Sequence, residues 1–114
     1  MFTFEALLLK KNKMNLDQQT WWSNYINDEK GVLLDVRTAD EFSMNRIPNA
    51  MNIDIYKGNG FIEEVEKLDT NKNYYVYCHA GVRSANAIGV MMRLGFENLF
   101  NLVGGIGAFE GPIE

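Results

Sequence analysis

Tyr74-Tyr75-Val76-Tyr77-Cys78-His79-Ala80-Gly81-Val82-Arg83-Ser84 holds the decisive pattern of this chain. Tyr74 to Tyr77 is an aromatic and β-branched run, the composition of a strand, and it ends directly at Cys78. Gly81 marks a tight loop, and Ser84 is suited to cap a helix that carries Ala85, Ile88, Met91, Met92 and Leu94 and stops at Gly95. A strand that passes through a short loop straight into a helix is half of a parallel βαβ unit.

The same alternation extends in both directions. Upstream, Asn15 with Gln18 reads as a variant capping box opening a helix to about Asn27, with Leu16, Trp22, Tyr25 and Ile26 near one face. Gly31 breaks that helix, and Val32-Leu33-Leu34-Asp35-Val36 is an almost uniformly apolar run of the kind buried on both faces of a parallel sheet. Thr38 and Glu41 form a Thr-x-x-Glu box that starts a short helix, which must end before Pro48. Ala50 to Ile53 is a candidate short strand, and Phe61, Val65 and Leu68 repeat at helical spacing between charged residues. Downstream, Leu99 to Val103 makes a last strand, closed by Gly104-Gly105. The predicted fold class is α/β, a parallel sheet flanked by helices on both faces, and Cys78 falls beyond the carboxyl end of a strand, where such sheets bind ligands.

The 114 residues, 46% hydrophobic and 23% charged, suit one soluble domain and are too few for two independent cores. With 11 basic against 15 acidic residues and a net charge of -4, the chain has no global attraction for phosphate backbones, so nucleic acid is not an expected partner. No apolar run approaches the roughly 20 residues of a membrane span, and Ala6 to Leu9 is too short for an export signal, with its lysines on the wrong side. A single cysteine and a single histidine allow neither an internal disulfide nor a zinc cage, so no metal is expected, and a free thiol points to the cytoplasm.

Cys78 to Ser84 has the makings of an anion-stabilising turn. If the loop curls around the sulfur, successive backbone N–H groups point inward, and the helix that follows adds the positive end of its dipole. A thiol so placed is expected to be largely thiolate at neutral pH, and an enzymatic role for it requires that it not be packed away from solvent. Gly81 permits the turn, and Arg83 can add charge to the pocket or brace the loop from behind. His79 reads as a solvent-facing loop residue, because neighbouring side chains on a curled loop diverge and do not form a Cys-His dyad.

Leu33-Leu34-Asp35-Val36-Arg37, Glu41-Phe42, Arg46-Ile47-Pro48-Asn49-Ala50 and Asn52-Ile53, followed by Tyr77 to Ala85, Leu94-Gly95-Phe96 and Leu102-Val103-Gly104-Gly105-Ile106, resemble in order the rhodanese homology domain, a sulfurtransferase family. The likeness runs from about Leu16 to Pro112, leaving 1–15 as an N-terminal arm and 16–114 as a rhodanese-like domain. It implies a five-stranded parallel sheet and an enzyme of the thiosulfate sulfurtransferase type, without cofactor. Cys78 would be the catalytic residue and carry sulfane sulfur as a persulfide, and His79, Ala80, Gly81, Val82, Arg83 and Ser84 would form the loop that binds it. Asp35, Arg37 and Glu41 match framework positions and imply structural support, with Arg37 pairing to a carboxylate to lock strand to helix. The implied partners are a small-molecule sulfur donor, a thiol or cyanide acceptor and a persulfide-donating protein, with no membrane involved.

Departures from the family pattern lie outside the loop: Arg46 stands where many relatives have histidine, Asn45 and Asn49 replace common glycines, and Phe109 replaces a common tryptophan. Two other functions use related folds. Dual-specificity phosphatases and arsenate reductases resemble this architecture, but the phosphatase loop is one residue longer between cysteine and arginine, and the shorter ring fits a single sulfur better than a tetrahedral oxyanion. Non-catalytic binding modules of the family often lack the cysteine, which is present here.

Overall fold

A computed structural model describes residues 3–5 and 14–114. Five strands, β1 (Asn15–Leu16), β2 (Gly31–Asp35), β3 (Met51–Asn52), β4 (Asn73–Tyr77) and β5 (Leu99–Leu102), form one sheet in the order β1-β5-β4-β2-β3. Every neighbouring pair is parallel. Within residues 14–114 the helices are α1 (Gln18–Ile26), α2 (Ala39–Met44), α3 (Asn59–Glu66), α4 (Val82–Arg93) and α5 (Gly105–Ala108), with a 3-10 turn at Ile55–Lys57.

The strand period of two sorts consecutive residues onto opposite faces of the sheet, and each face has its own core. Leu34, Val36, Tyr74, Val76 and Cys78 pack with Phe61 and Val65 of α3 and with Ala87, Ile88 and Met91 of α4. Leu33, Tyr75, Tyr77 and Leu102 pack on the other side with Trp21 of α1, Ile47 and Ile106 of α5. Trp21 is fully buried, lies edge-on to Tyr75, Tyr77 and Phe109 at centroid distances of 6.0, 6.2 and 6.1 Å, and donates its indole N–H to the Phe100 carbonyl at 3.0 Å. Both sides of the central strands are therefore sealed, which is why β2 and β4 read as continuous apolar runs.

Three details differ from the sequence expectation. Asn15 does not cap α1. It pairs with Asn101 as the first residue of edge strand β1, and the side chain of Asp17 caps the helix by accepting from the Thr20 amide at 2.8 Å. A two-residue strand is too short to show alternation. Met14 is buried and its carbonyl accepts from the Asn101 amide at 2.8 Å, so the fold takes in Met14 and Asn15 from the predicted arm. The apolar run Ala6 to Leu9 lies outside the described residues. Lastly, α4 starts at Val82 rather than at Ser84, its cap being Gly81 at φ +102° with no side-chain cap bond.

The Thr38-x-x-Glu41 box forms as read. The Thr38 hydroxyl accepts from the Glu41 amide at 3.2 Å, and the Glu41 carboxylate accepts from the Thr38 amide at 3.3 Å. No helix among the described residues is long and apolar enough to cross a membrane.

Candidate active site

Cys78 follows directly on β4, between β5 and β2, at the carboxyl end of the sheet. The chain turns sharply at Gly81, whose left-handed backbone suits a residue without Cβ, and the Gly81 amide comes round to donate to Cys78 Sγ at 3.0 Å. The Ser84 hydroxyl lies 3.3 Å from the same sulfur. The loop is also held from behind. The Ile106 amide donates to the Cys78 carbonyl and the Gly107 amide to the His79 carbonyl, both at 2.9 Å, so the first turn of α5 fixes the start of the loop.

Two opposing effects act on the thiol. Burial pushes its pKa up, while the Ser84 hydroxyl and the amides of Ser84, Gly81 and Ala80 favour the anion. The hydrogen bonds prevail, and the pKa falls below the ordinary thiol value of 9.0. The direction is the one expected from a turn of inward amides at a helix N-terminus.

Access is another matter. Cys78 is only 1% exposed, less open than the sequence reading requires. The physical reason is that the same amides that hold the sulfur close over it, while Phe61, Ile88 and the rest of that core occupy the side below. His79, Ala80 and Val82 are exposed above it.

Arg83 braces the loop. Its guanidinium donates to both carboxylate oxygens of Glu41, at 2.7 and 2.9 Å, and lies 5.5 Å from the Tyr56 ring centroid. This pair holds the Glu41 carboxyl down to about 2 and raises the arginine further. Asp35 and Arg37 do not reach Glu41; they form their own buried pair, Nη2 to Oδ2 at 2.7 Å, and Arg37 also donates to the Asn45 carbonyl at 2.6 Å. Strand β2 is thereby locked to the end of α2 by Arg37, while Glu41 ties α2 to the cysteine loop. His79 is exposed, packs near Gly107 and stands apart from the sulfur's hydrogen-bond partners. Among the described residues no cluster of His, Cys, Asp or Glu could hold a metal ion.

Asn101 belongs to the site although no sequence motif marks it. It is 4% exposed in β5, accepts the Ser84 hydroxyl at 2.6 Å, and donates to Asn15 Oδ1 at 2.9 Å and the Gly81 carbonyl at 3.3 Å. The one available signal was an asparagine inside an otherwise apolar strand, Leu99-Phe100-Asn101-Leu102.

The family model described as the rhodanese-like domain matches residues 18–111, which takes in the whole cysteine loop and every helix named above. The chain belongs to the rhodanese-like family. Among its relatives is YtwF of Bacillus subtilis, a protein whose name marks it as a sulfurtransferase, 36% identical over 87 residues that cover 76% of this chain and 81% of that protein. The tRNA uridine(34) hydroxylase of Pelagibacter ubique is 31% identical over 101 residues, 87% of this chain but only 33% of the relative, so this rhodanese-like chain spans about a third of that protein's length. A solved rhodanese-related protein from Thermoplasma volcanium superposes with a TM-score of 0.76 at 29% identity, over 88% of this chain and 96% of that one. The five-stranded parallel sheet with helices is thus the rhodanese-like fold.

Proposed function

We propose that the protein is a sulfurtransferase that carries sulfane sulfur as a persulfide on Cys78. The observation that carries this is the convergence of the Gly81 amide and the Ser84 hydroxyl on Cys78 Sγ at 3.0 and 3.3 Å, a setting built for a sulfur anion. The Cys78 thiolate attacks the outer sulfur of thiosulfate, a new S–S bond forms, the old one breaks, and sulfite departs with its electron pair. The persulfide anion then sits among the loop donors until cyanide or a thiolate attacks its terminal sulfur, yielding thiocyanate or a new persulfide and returning the Cys78 thiolate. No step needs a cofactor. Because Cys78 is 1% exposed, residues 79–82 must yield for a donor to enter, and that movement is part of the proposed cycle.

Loop length favours sulfur transfer over phosphoryl chemistry at the same cysteine: four residues separate Cys78 from Arg83, a ring one residue shorter than the phosphatase loop.

Thiosulfate and cyanide given to the purified protein should form thiocyanate, and intact mass after thiosulfate alone should show one added sulfur atom. Cys78→Ser should do neither, because a hydroxyl cannot hold the transferred sulfur. Thiocyanate formation by Cys78→Ser at the parental rate would reject the site, and aryl phosphate hydrolysis far faster than sulfur transfer would reject the reaction. A third arm offers a protein persulfide donor in place of thiosulfate. Faster loading from that donor would keep Cys78 as carrier and move the substrate class from a free anion to a protein partner.

A further inference from the structure

The Ser84 hydroxyl has one proton and two acceptors within reach, Asn101 Oδ1 at 2.6 Å and Cys78 Sγ at 3.3 Å. The orientation of the Asn101 amide is not free. Its Nδ2 faces the Gly81 carbonyl, which can only accept, and Asn15 Oδ1, so Oδ1 is the atom turned to Ser84. An acceptor-only oxygen at 2.6 Å claims the serine proton while the sulfur is neutral, and the thiol then donates its own proton to Ser84 Oγ. When the sulfur becomes an anion, the demand reverses, because a charge-assisted bond is about twice as strong as a neutral one.

We propose that Asn101 is a positioning residue that sets the direction of the Ser84 hydroxyl, drawing its proton away from neutral Cys78 and yielding it when the sulfur carries charge. The string Cys78–Ser84–Asn101–Asn15 crosses from the loop through β5 to edge strand β1, and Ser84 and Asn101 are both buried. Asn101 touches no reacting atom. Its brake on ionisation of the resting thiol runs through Ser84, while its bond to the Gly81 carbonyl supports the loop. This deepens the proposed sulfur transfer, although the proton arrangement exists whether or not sulfur is transferred.

Other charged or titratable groups on the elements around the loop stay constant in the test. Arg83 of α4 interacts with the sulfur and is clamped by Glu41 of α2; Tyr56 lies under Arg83; Asp35 and Arg37 pair at the end of β2; and His79 is on the loop. Strand β5 and helix α5 bring none.

The experiment follows thiolate ultraviolet absorbance against pH in the full chain, with Cys78→Ser as the baseline for tyrosine. Asn101→Ala should lower the titration midpoint by roughly 0.5 to 1 pH unit, the worth of one hydrogen bond returned to the sulfur. Ser84→Ala should raise it. The double variant should titrate with Ser84→Ala, since the hydroxyl is the route by which Asn101 opposes the charge, whereas loss of its bond to the Gly81 carbonyl would loosen an amide donor and raise the midpoint instead. A merely structural asparagine gives the opposite sign, because a loosened loop loses amide donors and the midpoint rises. A midpoint that rises or stands still in Asn101→Ala, or a double variant whose shift is the sum of the two, overturns the proposal. Asn101→Val, β-branched and suited to a buried strand, carries the same expectation should the alanine variant fail to fold. If neither parent nor variants transfer sulfur, the proposed function falls, yet the direction of the shift still decides the role of Asn101.

Discussion

Arg83 and Glu41 meet in a two-pronged ion pair, 2.7 and 2.9 Å, that fastens the cysteine loop to the first turn of α2. Glu41 serves twice, since the same carboxylate closes the Thr38 capping box.

Glu41→Gln should therefore weaken both the pair and the cap. The Glu41 carboxyl is held at about 2 against an ordinary 4.5, so its stabilisation is fully present above the ordinary value and fades as pH falls through about 2. The parent should exceed Glu41→Gln in urea stability by about 1 kcal/mol at pH 7, a modest figure because solvent screens a third-exposed carboxylate. At pH 3 the gap should narrow. A gap that widens with acid would contradict the assignment of the shift to Arg83.

Cys78 should react with iodoacetamide in the native protein, once and completely, but more slowly than in urea, because its 1% exposure demands that the loop open first. Its lowered pKa should keep reactivity high as pH drops below 9.0, where an ordinary thiol has begun to fade. Complete inertness of the native thiol under conditions that leave the fold intact would sink the enzymatic proposal.

Gly105→Ala should damage the loop more than its size suggests. Gly105 has φ +62°, and a Cβ there would overlap the backbone of His79 and come within 2.6 Å of the Ala80 nitrogen. Strain of about 1–3 kcal/mol is expected in denaturant titration, together with slower sulfur loading, as α5 is pushed off the loop it anchors. Loading at the parental rate would show that the α5 clamp is dispensable.

Trp21→Ala should cost about 3–5 kcal/mol in urea unfolding, the usual penalty for emptying a large aromatic site. Trp21→Phe should cost less, the difference reporting the lost bond to the Phe100 carbonyl and the smaller ring. A negligible effect of the alanine change would mean that the second core does not hold α1.

Much of this was legible in the chain because the informative features were local. Val32 to Val36 and Tyr74 to Tyr77 announced buried strands by composition alone, and Thr38 with Glu41 specified a helix start that formed to the residue. The thiol's setting followed from the order strand, cysteine, glycine and helix. What stayed hidden depends on contacts between distant segments. Asn101 lies 17 positions from Ser84 and 86 from Asn15, and β1 exists only because β5 offers it an edge. Arg83 choosing Glu41, with Asp35 left for Arg37, likewise needed the three-dimensional spacing of α2 and α4.

The closed loop over Cys78 also changes how a loaded sulfur would be spent. A cargo reached only when residues 79–82 part would be screened from small reductants in bulk, and its lifetime would be set by how often the loop opens. Strong and weak nucleophiles should then converge on one ceiling velocity, and a partner that pries the loop apart would outpace any free thiol.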